Sequence, residues 1–98
     1  MTTDLYSLAD SVFDEKSFLQ FLMALSADWE KASKIEKAKP SASFSSGALG
    51  WENGSVGAVF DAAASWGTAS IDGLKHYEKP ENHWRRAAHI IHAGKFYE

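Results

Sequence analysis

Apolar positions along this chain recur at alternating steps of three and four, the spacing that gathers side chains onto one face of an α-helix. Leu5, Leu8, Ala9 and Val12 mark a short amphipathic helix over residues 4 to 11. Asp4 falls in its first turn, where a carboxylate meets the positive end of the helix dipole. Asp14 is placed to cap a second helix, because Phe18, Leu22, Leu25, Trp29 and Ala32 follow on one stripe, with Phe21 and Ile35 on the same broad face. The pattern predicts this helix from Glu15 to about Ala38, with Lys31, Lys34 and Lys37 on the exposed side toward its negative end.

Pro40 interrupts the periodicity, and the Ser- and Gly-rich run that follows, as far as the Asn53-Gly54 turn signal, reads as a loop over about residues 40 to 55. Val56, Val59, Phe60, Ala63, Trp66, Ser70, Leu74 and Tyr77 then share one stripe, predicting a third helix over 56 to 77 with Ser55 as its cap. Gly57, Gly67 and Gly73 each weaken that helix by about 1 kcal/mol relative to alanine. After Pro80, or from Asn82, a fourth helix carries Trp84, Ala87, Ala88 and Ile91, with Gly94 as its expected stop. Phe96 or Tyr97 is expected to pack on the core. Trp29, Trp66 and Trp84 fall on apolar stripes and read as core, whereas Trp51 sits in the loop, where a partly exposed indole is a natural interface anchor. The expectation is an all-α fold: one domain over residues 1–98, a small bundle of about four helices with the loop between the second and third.

Composition narrows the class. With 98 residues, 45% of them apolar, the chain is long enough for one core. It has no cysteine, which removes disulfides and thiol chemistry and fits a reducing compartment. No apolar run approaches the length of a membrane span, and the first residues carry an acid where a signal peptide carries bases, so a cytoplasmic location is expected. Net charge is −3, unevenly spread: residues 1 to 30 hold six acids (Asp4, Asp10, Asp14, Glu15, Asp28, Glu30) against Lys16 alone. An acidic face of this kind steers encounter with a basic partner. Neither half is basic enough for nucleic acid to be the expected ligand.

Little in the sequence points to catalysis. His89 and His92 stand three apart, close enough on a helix to share a metal, but such a site needs a third ligand and the positions four residues on are Ala93 and Phe96. His83, Arg85, Arg86 and Lys95 make the last helix the most basic element, with too few bases for a phosphate surface. No nucleophile elbow, phosphate-binding loop, dinucleotide fingerprint or His-Glu-x-x-His helix occurs. The expectation is a non-enzymatic binding protein with no metal and no cofactor.

An aspartate-led helix with Phe18 and Leu22, a Trp51-Glu52-Asn53 turn leading into a helix, Trp66, Tyr77, a Pro-then-Trp84 helix and a closing Lys95-Phe96-Tyr97-Glu98 resemble a family of small bacterial proteins whose domain has no established activity. The resemblance covers about residues 14 to 29 loosely and 51 to 98 more closely. The family's acidic, leucine-rich helix after the turn is replaced here by Val56-Gly57-Ala58-Val59. By class, such proteins resemble the immunity proteins that accompany toxins. The resemblance implies a cytoplasmic, monomeric or homodimeric inhibitor that occludes the active site of a cognate toxin, with no nucleic-acid or membrane partner; the alternative is a homodimeric adaptor. On this reading Asp10, Asp14, Asp28 and Glu30 of the acidic third, with Phe44, Trp51, Glu52 and Asn53 of the loop, are the expected partner-binding residues.

Overall fold

Four helices form where the periodicity places them in the computed structural model, which describes residues 4–38 and 48–97. They are α1 (Leu5–Asp10), α2 (Glu15–Ala38), α3 (Val56–Ala69) and α4 (His83–Phe96), with one 3₁₀ turn at Ala48–Gly50. The fold is all-α, with no strand among the described residues. The expectation placed on Phe44 lies outside the described residues.

Each helix start has a local cause. Asp4 accepts from the Ser7 backbone N–H, Ser55 from that of Ala58 and Asn82 from that of Arg85, each satisfying an amide donor that the first turn leaves open. At α2, Asp14 accepts from the Ser17 N–H and hydroxyl, while the Ser17 Oγ accepts from the N–H groups of Phe13 and Asp14. This reciprocal arrangement fixes the start of α2 at the expected residue.

α4 is the central element, packing against α3, α1 and α2. Leu5, Ala9, Val12, Phe21 and Ala88 form the buried cluster, with Leu8, Phe18, Leu22, Leu25 and Ile91 around it. Between α3 and α4 the contact is made by small residues: Ala62, Ala63, Ala93 and Gly94 are buried. Gly94 does not stop α4 as expected but lies inside it. A Cβ there would sit 2.8 Å from the Val59 carbonyl oxygen, so glycine is what lets the two helices approach this closely.

Helix α3 ends at Ala69, eight residues before Tyr77. The cause is tertiary. Ser70 turns its hydroxyl back onto the Trp66 carbonyl at 2.6 Å, and Arg86 of α4 donates to the Gly67 carbonyl at 3.0 Å and to the Ser70 Oγ at 2.9 Å. Gly73 then takes a left-handed conformation, with φ of 83°, and a tight turn pairs Leu74 with Tyr77. Tyr77 is thereby returned to stack on Trp66 and reach His89.

The tryptophans also depart from expectation. Trp29 and Trp84 are exposed, Trp66 is half-buried and the loop residue Trp51 is buried. Phe60, placed on the α3 core stripe by its spacing, faces solvent. Among the described residues no helix is long and apolar enough to cross a membrane.

Candidate functional site

The expected partner-binding residues do not share one role. Three of them turn inward. Asp28 Oδ2 accepts from the Trp51 indole N–H and from Lys95 Nζ, both at 2.9 Å, and its side chain is only 8% exposed. Lys95 Nζ also lies 5.5 Å from the Trp51 ring centroid, and Trp29 meets Trp51 edge to face at 5.0 Å. The Asn53 amide donates to the carbonyls of Gly94 and Tyr97, each at 3.0 Å, while the N–H groups of Glu52 and Asn53 donate to the Lys95 carbonyl. Asp28, Trp51 and Asn53 are thus a clasp that ties the loop and the chain end to α2, not a free surface. Asp14 serves as the α2 cap, and Ser17 holds its carboxyl below the ordinary carboxylate range. Asp10, Glu30 and Glu52 remain exposed.

A cleft of about 530 Å³ opens between α1, the end of α3 and α4, lined by Tyr6, Asp10, Trp66, Tyr77, His89, His92 and Phe96 among others. Its back wall is a hydrogen-bonded relay. Asp10 Oδ1 lies 3.2 Å from His89 Nε2, Tyr77 Oη 2.8 Å from His89 Nδ1, and Arg86 Nη1 3.4 Å from Tyr77 Oη. An ionised carboxylate only accepts, so His89 Nε2 carries the hydrogen and Nδ1 accepts from the tyrosine hydroxyl, which in turn accepts from Arg86. Burial holds His89 below the ordinary histidine pKa against the opposing pull of Asp10, so the ring is neutral near pH 7.

Arg86 is buried, its guanidinium 5.2 Å from the Trp66 ring centroid and 5.9 Å from that of Tyr77. No carboxylate pairs with it directly among the described residues. The relay connects it to Asp10 instead. His92 is buried between rings, edge-on to Tyr6 at 4.5 Å and to Phe96 at 5.2 Å, and burial followed by the Lys95 charge pushes its pKa down to about 4. The two histidines are therefore committed to different neighbours. Among the described residues no group of three or more ligating side chains is placed to hold a metal ion.

A second feature is formed by other residues. α2 and α3 flank α4, and an apolar groove of about 270 Å³ runs between them, lined by Trp29, Trp51, Val56, Val59 and Phe60 with Asn53, Gly54 and Ser55. Val56 and Phe60, one turn apart, are 71% and 68% exposed. The only charged residue in the whole of α3 is Asp61. A surface helix ordinarily turns a charged face to water. The outer face of α3 instead presents Val56, Gly57, Phe60, Ala64, Ser65 and Thr68 around that one acid. Periodicity alone assigns Phe60 to the core; the scarcity of charge across residues 56 to 69 is the signal that the outer face of this helix also carries large apolar side chains, Val56 and Phe60.

Comparison with family profiles, with curated proteins and with solved structures returns no match to this chain.

Proposed function

We propose that this protein acts by binding another protein, as an immunity protein that neutralises a cognate bacterial toxin by occluding its active site. The observation that carries the reading is the exposed pair Val56 and Phe60 on the outer face of α3, which leads into the apolar groove beside Trp29. Contiguous exposed apolar surface on a small domain marks an interface, and an aromatic residue at a groove is the usual anchor of one. Glu30, Glu52 and Asp61, all exposed, neighbour Trp29, Trp51 and Phe60 in sequence. Acids exposed on the same elements that form the groove suit a basic partner, through steering of the encounter. The absence of catalytic motifs from the sequence accords with inhibition rather than turnover.

The test is capture from host extract at low and at moderate salt with the wild-type chain and with a Val56→Asp/Phe60→Asp variant, followed by assay of the companion. The expected result is a stoichiometric toxin, lost from the variant, whose activity is abolished by one equivalent of the wild-type chain. A companion without toxic activity, or one retained by the variant, overturns the reading. The same strip also fits a second copy of this chain; a doubled mass by light scattering that reverts in the variant would establish the homodimer in place of the inhibitor.

A further inference from the structure

We infer that the cleft between α1 and α4 is a binding site for an organic cation, a guanidinium or ammonium group held between aromatic walls and neutralised by Asp10. One wall is Tyr6 with Phe96, rings 5.7 Å apart, and the other is Trp66 with Tyr77, rings 4.9 Å apart. Aromatic faces attract cations through the ring quadrupole, and the attraction grows as the site excludes water. Asp10 is the one formal charge among the residues that line the cleft, and its side chain is 75% exposed. The carboxylate stands at the mouth, with His89 fixing one of its oxygens from behind.

Other ligand classes fit less well. An anion would meet the Asp10 carboxylate with no lysine or arginine lining the cleft to offset it. A metal ion would find one carboxylate, and the relay already engages both nitrogens of His89. A purely apolar ligand would cover the carboxylate oxygen that His89 does not reach, at a desolvation cost that a cation avoids. Arg86 does not occupy the site: it lies against Trp66 and Tyr77 and is held by Ser70 and the Gly67 carbonyl.

This inference is independent of the α3 interface. The shared chemistry has two sources, a free small cation or a basic side chain of a protein partner, and the test separates them. Isotope-labelled full-length protein is titrated near pH 7 with N-acetyl-arginine amide, with agmatine and with the neutral N-acetyl-citrulline amide, following the Trp66 indole and backbone resonances. The expected result is saturable shifts at Tyr6, Asp10, Trp66 and Phe96 with a dissociation constant on the order of 1 mM for the cations. Tighter binding of the amide identifies a protein side chain as the source, and tighter binding of agmatine a free ligand. Asp10→Asn is expected to weaken binding roughly tenfold, and Tyr6→Ala, one turn before Asp10 on α1, severalfold. Phe60→Asp leaves it unchanged. Equal binding of the citrulline compound, shifts that do not saturate, or an unchanged affinity in folded Asp10→Asn and Tyr6→Ala would each overturn the assignment.

Discussion

Replacing Asp28 with alanine tests the inward role assigned to that residue. One carboxylate oxygen, Oδ2, accepts from both Lys95 Nζ and the Trp51 indole, and the side chains of the ion pair are only 8% and 12% exposed. Removing one partner of a buried pair strands the other charge away from water, which costs about 3–5 kcal/mol. The orphaned indole N–H adds to that loss, although the two terms overlap because a single oxygen serves both donors. Against a total stability of about 5–15 kcal/mol for a domain of this size, Asp28→Ala removes a large share. Glu30→Ala is the reference, since an exposed acid changes stability by no more than about 0.5 kcal/mol. Urea unfolding followed in parallel by tryptophan fluorescence and far-UV circular dichroism gives both values. Lys95→Met in the Asp28→Ala background removes the stranded charge and is expected to recover part of the loss. A cost below about 1 kcal/mol for Asp28→Ala, or no recovery in the double variant, would refute the buried clasp and return Asp28 to the surface.

The remaining predictions concern helix packing and pH. Gly94→Ala drives a methyl group to 2.8 Å from the Val59 carbonyl and is expected to destabilise by about 1–3 kcal/mol. Gly57→Ala, in the first turn of α3 with nothing within 4 Å of the added carbon, is expected to stabilise by about 0.4–1 kcal/mol; equal effects in thermal melts would refute the α3–α4 contact. His92 binds its proton with a pKa near 4 in the folded state against 6.5 for the free side chain, so between those values the unfolded chain holds more protons. Its contribution is therefore complete above pH 6.5 and is lost as pH falls toward 4, by about 3 kcal/mol. The stability difference between wild type and His92→Gln, measured at pH 7 and pH 4.5, should shrink on acidification; a constant difference would refute the burial of the imidazole.

Which parts of this fold were legible depended on how far away their causes lie. The start of α2 could be read because Asp14 and Ser17 set it within one turn. The end of α3 could not, because Ser70, Leu74 and Tyr77 keep the helical spacing while the chain has already left the helix. What stops it is Arg86, sixteen positions beyond Ser70. Tryptophan burial failed for a related reason: periodicity says which face of a helix is apolar, not how much of that face another element covers. Trp29 lies at the edge of a groove and Trp84 meets Phe18 while remaining exposed.

The inward turn of Asp28 had no local sign at all, since its partners stand 23 and 67 positions away. That fact bears on how the sequence motifs should be read. The structure joins the Trp51-Glu52-Asn53 turn to the Lys95-Phe96-Tyr97 segment: the Lys95 carbonyl receives both backbone N–H groups of the turn, and Asn53 closes on Gly94 and Tyr97. Residues that recognise each other across the fold are constrained by folding whatever the protein binds. Those motifs therefore speak for architecture before they speak for a partner. The proposed partner has to be sought where the clasp leaves surface unused, on the outer face of α3 and at the mouth of the cleft beside Asp10. Substitutions there, unlike Asp28→Ala, should change binding while leaving the unfolding midpoint close to that of the wild type.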